Sequence, residues 1–267
     1  MNETAISSRD NPIFKRLKKL AESARARRDA QMSVLDGEHL LVAYQDAGGQ
    51  PHTLARAASF DAMRFAQLAA RSPQAKAKAI VLPDALFAEL SPVATPTGML
   101  AEVAWLAPTE IANTPLVVVL EDIQDPGNLG SMLRTAAAAG ATLAVLSRGC
   151  HDAWSPKALR GGQGAQFVLP MQQDVELATW LNAFSGQSIA LALGEANDFF
   201  AQDYAGATAL VVGNEGSGLT AGVALNASLC AQIPMPGRVE SLNASAALAV
   251  AMFEVVRQRR SGRGVAA

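Results

Sequence analysis

The sequence predicts an α/β protein whose C-terminal half holds a mostly parallel sheet. Three observations carry that prediction. After Pro115 the run LVVVL is apolar at every position, the pattern of a strand buried on both faces. From there strand-like and helix-like segments alternate to the end of the chain. Loops rich in Gly, Asn and charged residues follow several of the apolar runs, where an open α/β sheet binds its ligands.

The elements can be taken in order. Asn11-Pro12 opens a helical stretch from Ile13 to Ala30, with Ile13, Leu17 and Leu20 at helical spacing. Val34-Leu35 reads as a strand ended by Asp36-Gly37, and Glu38–Ala47 as a helix closed by Gly48-Gly49. Residues 53–58 suggest a strand, Ala62–Ala70 a helix, and AIVLPDALFAELSP a further strand and helix. VAWLA (Val103–Ala107) suggests a strand. The Pro-rich stretch Ala107–Pro115 suggests a boundary between an N-terminal domain, residues 1–108, and a C-terminal domain, residues 109–267. Beyond it come a strand (LVVVLED), a helix (129–139), a strand (142–147) and a helix from SPKALRGG. A strand (QFVLPM), a helix (174–184), a strand (188–193) and a strand (209–213) follow. A helix (218–227), a strand (CAQIPM) and a long terminal helix (243–259) complete the reading.

Composition narrows the function classes. Half the residues are hydrophobic and 17% are charged, which fits a folded globular chain. No apolar run reaches membrane length and no secretory leader is apparent, so a cytoplasmic location is expected. The two cysteines, Cys150 and Cys230, lack the spacing of a disulfide framework or a zinc site, and His39, His52 and His151 are scattered. No metal site is expected. The net charge is −2, but residues 1–30 hold eight basic residues against four acidic ones. A second basic cluster, Arg257, Arg259, Arg260 and Arg263, closes the chain. Basic ends on a near-neutral body fit either phosphate contacts or solubilising termini.

Three loops carry the chemistry. The first is Asp125-Pro126-Gly127-Asn128-Leu129-Gly130, with Arg134 beyond it. Asn128 can cap the following helix, and an Asn, Gly and Arg set at a helix start suits a phosphate or a ribose edge. An ordinary strand–turn–helix connection explains the same residues. The second is Gly213-Asn214-Glu215-Gly216-Ser217-Gly218. Three glycines around a carboxylate expose backbone to a ligand, at a cost in chain entropy. The loop lacks the Lys-Ser/Thr of a phosphate-binding loop and the spacing of a dinucleotide fingerprint. The third is Ile233-Pro234-Met235-Pro236-Gly237-Arg238, followed by Glu240-Ser241-Leu242-Asn243-Ala244-Ser245. Ser241 or Asn243 can cap the long terminal helix.

In this order the three loops resemble the motifs of the SpoU/TrmH family of RNA ribose 2′-O-methyltransferases. Asn128, Gly130 and Arg134 match the first motif. Gly213, Asn214, Glu215 and Gly216 match the second. Ile233, Pro234, Ser241, Leu242 and Asn243 match the third. Ser155–Pro170 resembles the family's intervening segment but carries Gly161-Gly162-Gln163, so no site is assigned there. SSRDNPIFKRLKKL and LDGEHLL resemble the small RNA-binding domain that often precedes the catalytic one.

The resemblance implies an α/β trefoil-knotted methyltransferase domain behind a smaller α/β RNA-binding domain. It implies S-adenosylmethionine as cofactor, contacted by Gly213, Asn214, Gly216, Ile233 and Leu242. RNA is the implied substrate, with ribosomal RNA favoured over transfer RNA, and a homodimer the implied assembly. Arg134 is the implied group at the ribose hydroxyl, with Asn128, Glu215, Ser241 and Asn243 positioning it and the ribose. Lys15, Arg16, Lys18 and Lys19 are the expected RNA contacts. A non-catalytic RNA-binding or ribosome-assembly protein on the same scaffold is the alternative. A small-molecule enzyme with a dinucleotide fold is disfavoured by the missing GxGxxG.

Overall fold

The computed structural model describes residues 3–72, 74, 76–91, 96–107, 115–193 and 197–262. The expected boundary stretch 108–114 and Arg263 lie outside them. The chain forms two compact units. One comprises residues 1–107 and 152–168, the other residues 108–151 and 169–267.

The first unit begins with strand β1 (Glu3–Ala5), helix α1 (Pro12–Glu22) and helix α2 (Ala24–Ala30). Asn11 caps α1, its side chain accepting from the Ile13 amide, and Pro12 supplies the preset φ of a first helical residue. The sequence suggests one helix from 13 to 30. The chain breaks it at Ser23, which leaves helical geometry and caps α2 by accepting from the Ala26 amide. Strand β2 (Met32–Asp36), α3 (Glu38–Asp46), β3 (Thr53–Ala57), α4 (Ala62–Ala70), β4 (Lys78–Leu82), α5 (Asp84–Leu90) and β5 (Met99–Ala104) follow. The sheet order is β1-β4-β3-β5-β2, with β5 antiparallel to both its neighbours. Phe14, Leu17 and Leu20 of α1 and Leu86, Phe87 and Leu90 of α5 fill one core with Val34, Ala55, Ile80 and Leu100 of the sheet.

The second unit carries a seven-stranded sheet. Its elements are β6 (Leu116–Leu120), α6 (Pro126–Ala138) and β7 (Leu143–Ser147). Helix α7 (Pro156–Gly162) comes next in the chain but belongs to the first unit, where it packs on β2. There Trp154 stacks on Trp105 with ring centroids 5.1 Å apart, and its carbonyl accepts from the Ser33 hydroxyl. The second unit resumes with β8 (Met171–Val175), α8 (Leu177–Ala183), β9 (Gln187–Leu191), the two-residue β10 (Asn197–Asp198) and β11 (Thr208–Val212). It ends with α9 (Ala221–Asn226), β12 (Leu229–Gln232) and α10 (Ala244–Gly262). The order is β10-β12-β9-β11-β6-β7-β8, and each recorded pairing is parallel.

Two expectations fail in this unit. QFVLPM is not a strand. Ala165–Phe167 form a 3₁₀ turn of the first unit, and the strand is the following MQQDV. CAQIPM ends as a strand at Gln232, before its prolines, because Pro lacks the ladder donor. The strand expected at Val103–Ala107 likewise lies upstream, as β5.

On one face of the sheet Leu177 and Leu181 of α8 and Val223 of α9 pack on Val117, Val119, Val145, Ala209 and Val211. Helix α10 packs on α6 and β11. The strands β12, β9, β11 and β6 are adjacent and parallel, so their carboxyl ends open together, and the three candidate loops leave from β6, β11 and β12.

Candidate active site

The first loop is organised by Asp125. Its Oδ1 accepts from the Asn128 amide at 2.7 Å, and Pro126 takes the first helical position. Asn128 is therefore not the cap expected from the sequence. It sits inside the first turn, which frees its side chain to reach the other two loops. Asn128 Nδ2 donates to Glu215 Oε1 at 2.9 Å, and its Oδ1 accepts from Asn243 Nδ2 at 3.5 Å. One amide thus joins the three loops, using both halves of its hydrogen-bonding capacity.

The second loop is held by its asparagine. Asn214 Nδ2 donates to the Asp122 carbonyl at 2.8 Å, and its Oδ1 accepts from the amides of Gly216 and Ser217. The Gly218 amide closes the turn on the Asn214 carbonyl at 2.9 Å. Gly213 is fixed by this turn. A Cβ there would lie 2.4 Å from the Gly218 carbonyl carbon. Gly216 differs: a Cβ there would meet only Asn214 Oδ1, at 3.5 Å. The loop's own packing asks for glycine at 213 and leaves open space beside 216.

In the third loop Asn243 is the cap of α10. Its Oδ1 accepts from the Ser245 amide at 2.9 Å and from the Ser245 hydroxyl at 2.6 Å, leaving Nδ2 for Asn128. Ser241 is exposed and its hydroxyl has no partner among the described residues. Leu242 is 39% exposed, and Ile233 is half-buried where β12 ends.

Arg134 stands apart. It is the ninth residue of α6, not near the start, and six residues beyond Asn128 amounts to about 9 Å along the axis. Its exposed guanidinium has no partner among the described residues. Asn128, Glu215 and Asn243 are brought together; Arg134 is not joined to them by any hydrogen bond.

Sequence reasoning missed the groups beneath the loops. Glu121, 6% exposed, accepts from the Thr220 amide and hydroxyl at 2.8 and 2.7 Å, which anchors the cap of α9. Asp122 adopts a left-handed φ of +53° and its carboxylate accepts from the Ser147 hydroxyl. Asp125 carried a usable signal, since an acid before Pro marks a helix start.

The expected RNA contacts divide. Lys15 pairs with Asp10 at 2.7 Å and Lys18 with Glu22 at 3.9 Å. Lys19 has no partner among the described residues. Arg16 turns to the buried Glu102, 2.6 Å away. Of the C-terminal arginines, Arg257 pairs with Glu254, and Arg259 donates to the carbonyls of Tyr204, Pro115 and Gly206. Arg259 is a clamp on the chain itself.

A parallel sheet whose adjacent carboxyl ends carry glycine-rich loops tied by amides and a carboxylate defines a ligand-binding α/β scaffold. The SpoU rRNA methylase family matches residues 115–253, and the chain belongs to that family. An uncharacterized tRNA/rRNA methyltransferase of Synechocystis sp. is 33% identical over 266 residues, spanning 96% of this chain and 94% of the relative. The 23S rRNA (guanosine(2553)-2′-O)-methyltransferase of Bacillus subtilis is 28% identical, over 94% of this chain and 98% of its own. Among solved structures, an AdoMet-bound rRNA methyltransferase from Sinorhizobium meliloti superposes with a TM-score of 0.82 at 26% identity, covering 95% and 97% of the two chains.

Proposed function

We propose that this chain is an S-adenosylmethionine-dependent RNA ribose 2′-O-methyltransferase that acts on ribosomal RNA in the cytoplasm, as a homodimer. The observation that carries the reading is the Asn128 amide, which bridges Glu215 and Asn243 across three loops at adjacent strand ends.

The residues present fit the cofactor. Gly216 leaves space that a Cβ would fill without any need of the chain for glycine there. Leu242 and Ile233, in the loop after β12, offer partly exposed apolar surface suited to an adenine, and Asn214 orders the backbone of the turn. Bound there, S-adenosylmethionine supplies an electrophilic methyl on a sulfonium.

The protein's own task is to align a ribose 2′-hydroxyl and ease its proton away. Glu215 spends Oε1 on Asn128, and its other oxygen is available to accept from a hydroxyl. Ser241 offers a further hydroxyl at the same rim. A guanidinium has no lone pair to offer a proton, so Arg134 is a poor base. Its role is to bind the adjacent phosphate and stabilise charge developing on the 2′-oxygen. Its distance along α6 from Asn128 supports a role in a second copy's site. The exposed stripe Ala246, Val250 and Phe253 on α10, the helix packed on α6, suits burial against that copy. A trefoil knot is part of this reading: β12 lies outside β9, while the chain after it returns to pack α10 on α6 and β11.

The test is incubation of the protein with radiolabelled S-adenosylmethionine and unmodified ribosomal and transfer RNA pools, beside an Arg134→Ala variant. Label that survives base removal, favours ribosomal RNA and is lost in the variant is expected. Label confined to transfer RNA would replace the substrate. Absence of label, with donor and RNA both bound, would favour the non-catalytic alternative.

A further inference from the structure

We propose that the first unit grips the RNA sugar-phosphate backbone through a basic cleft of Arg16, His52, Lys76 and Lys78, rather than through the lysines that make α1 look basic in the sequence. The proposal rests on the RNA methyltransferase reading above and locates the surface that reading needs.

Helix α1 carries its cations on two faces. On one, Lys15 pairs with Asp10 and Lys18 with Glu22, and Arg9, just before the helix, pairs with Glu89. These pairs cancel most of the local charge and leave Lys19 alone. Arg16 projects elsewhere. Its Nη2 donates to Glu102 Oε2 at 2.6 Å and to Thr53 Oγ1 at 3.4 Å. Glu102 is 2% exposed and also accepts from the Thr53 hydroxyl at 2.7 Å. A buried carboxylate thus holds one nitrogen of a guanidinium that is itself half exposed. Nε and Nη1 make no bond among the described residues, so the fork is oriented and still has donors to give.

The other basic residues line the cleft with it. His52 is tied by its backbone, its amide donating to the Glu102 carbonyl and its carbonyl accepting from the Lys78 amide. Lys78 lies beside Thr53 in the parallel pairing of β3 and β4. The side chains of His52, Lys76 and Lys78 have no hydrogen-bond or ion-pair partner among the described residues. With Gln50, Pro51 and Arg16 they line a cleft of about 360 Å³.

No acidic side chain lines the cleft, and the buried Glu102 is bonded to Arg16 and Thr53, not to the lysines. Like charges gathered around a void gain the isolated fold nothing and repel one another. They suit an extended anion. A phosphodiester chain matches best: the free Arg16 donors, Nε and Nη1, point apart and each take a single phosphate oxygen, and the lysines act as point charges toward its neighbours. The lining holds no Phe, Tyr or Trp, and its one ring is that of His52, so contact is mainly with the backbone rather than reading of sequence.

Filter binding of a ribosomal RNA transcript across a salt series tests this on the full chain. The variants are Lys76→Glu/Lys78→Glu and Lys15→Glu/Lys18→Glu, at exposed positions except the half-buried Lys18, with melting temperature as the check on folding. The cleft pair is expected to weaken binding at least about tenfold and to lower the salt slope by about two. The α1 pair is expected to change binding less than about threefold. Equal losses, or a greater loss in the α1 pair, overturn the cleft while leaving the enzyme reading in place. Failure of the unaltered protein to bind or methylate any RNA, with S-adenosylmethionine still bound, removes that reading and the cleft with it.

Discussion

The two units use charge in opposite ways. In the first, arginines are spent on structure: Arg27 with Asp152, Arg56 with Glu3, Arg64 with Glu38 and Arg71 with Asp46 join segments distant in the chain. In the second, the groups that join distant loops at the candidate site are mostly neutral: two asparagine amides and one carboxylate. Arg134 has no partner among the described residues. A charge already paired inside the fold has less to offer a substrate, and one left unpaired near a site costs little at an exposed position. The distinction decides which charged residues are candidates for function, and counting charges along the sequence cannot draw it.

The largest effect is expected from removing a structural arginine. Arg27 and Asp152 are 4% and 10% exposed, and Arg27 also donates to the Leu20 and Ala21 carbonyls. Arg27→Ala leaves a buried carboxylate without its counter-charge, at an expected cost of about 3–5 kcal/mol. Denaturant unfolding measures it. A loss below about 1 kcal/mol would place Arg27 with ordinary surface pairs. Arg25, whose pair with Asp29 is exposed on both sides, is the internal standard for such a pair.

Arg134→Ala should do the reverse. Stability is expected to hold, while single-turnover methyl transfer falls by about 10²–10³-fold. Arg134→Lys keeps the charge without the planar fork, so near-full turnover in it would remove the phosphate-clamp role. Mixing Arg134→Ala with Asn128→Ala sharpens the result. If Arg134 serves the partner's site, each mixed dimer regains one of its two sites, about one site in four over a randomly exchanged population, whereas separate variants recover none. No recovery, with mixed dimers demonstrated, would place Arg134 in its own chain's site.

Much of this was legible in the sequence, and the misses have physical causes. The buried parallel strands β6 and β11 announce themselves because both faces must be apolar. β8 did not, because it is an edge strand paired with β7 alone and alternates in exposure, while the more apolar stretch before it includes Phe167, which is buried and belongs to the first unit. The three loops could be recognised singly. Their meeting at Asn128 depends on strand order, which local patterning does not encode. The cap was misplaced by three residues because Asp125 and Asn128 are both good caps, and only the Pro126 position favours the former. Arg16 looked like its lysine neighbours because the partner that separates it, Glu102, lies 86 residues away.

The glycines of the second loop provide a smaller, cleaner contrast. Gly213→Ala places a Cβ against the backbone of Gly218 and Leu219, where nothing can yield cheaply. An expected cost of about 1–3 kcal/mol should appear in unfolding, together with weaker S-adenosylmethionine binding. Gly216→Ala should leave stability within about 0.5 kcal/mol and still weaken the donor. Calorimetric titration separates the two, and unimpaired donor binding in Gly216→Ala would remove the cradle argument.

The smallest effect at neutral pH compares the two tyrosines, one in each unit. Tyr44 and Tyr204 are buried, and their hydroxyls donate to the carbonyls of Ala104 and Phe199. Burial pushes the Tyr44 phenol up to about 12, outweighing the backbone hydrogen bonds that oppose it. Burial also raises Tyr204, and the charges of Glu254 and Asp198 add to it. A raised acid binds its proton more tightly folded than unfolded, so unfolding releases protons in this range and stability falls as pH rises. The contribution is whole below pH about 10, where the unfolded phenol titrates, and is lost for Tyr44 as pH passes through its folded value. These are the chain's only tyrosines, so phenolate absorbance reports them without background. The native protein should show none of the step near pH 10 that the denatured chain shows. Tyr44→Phe should leave a single, later transition belonging to Tyr204. A native step at the ordinary phenol value would mean that one of the two hydroxyls reaches water.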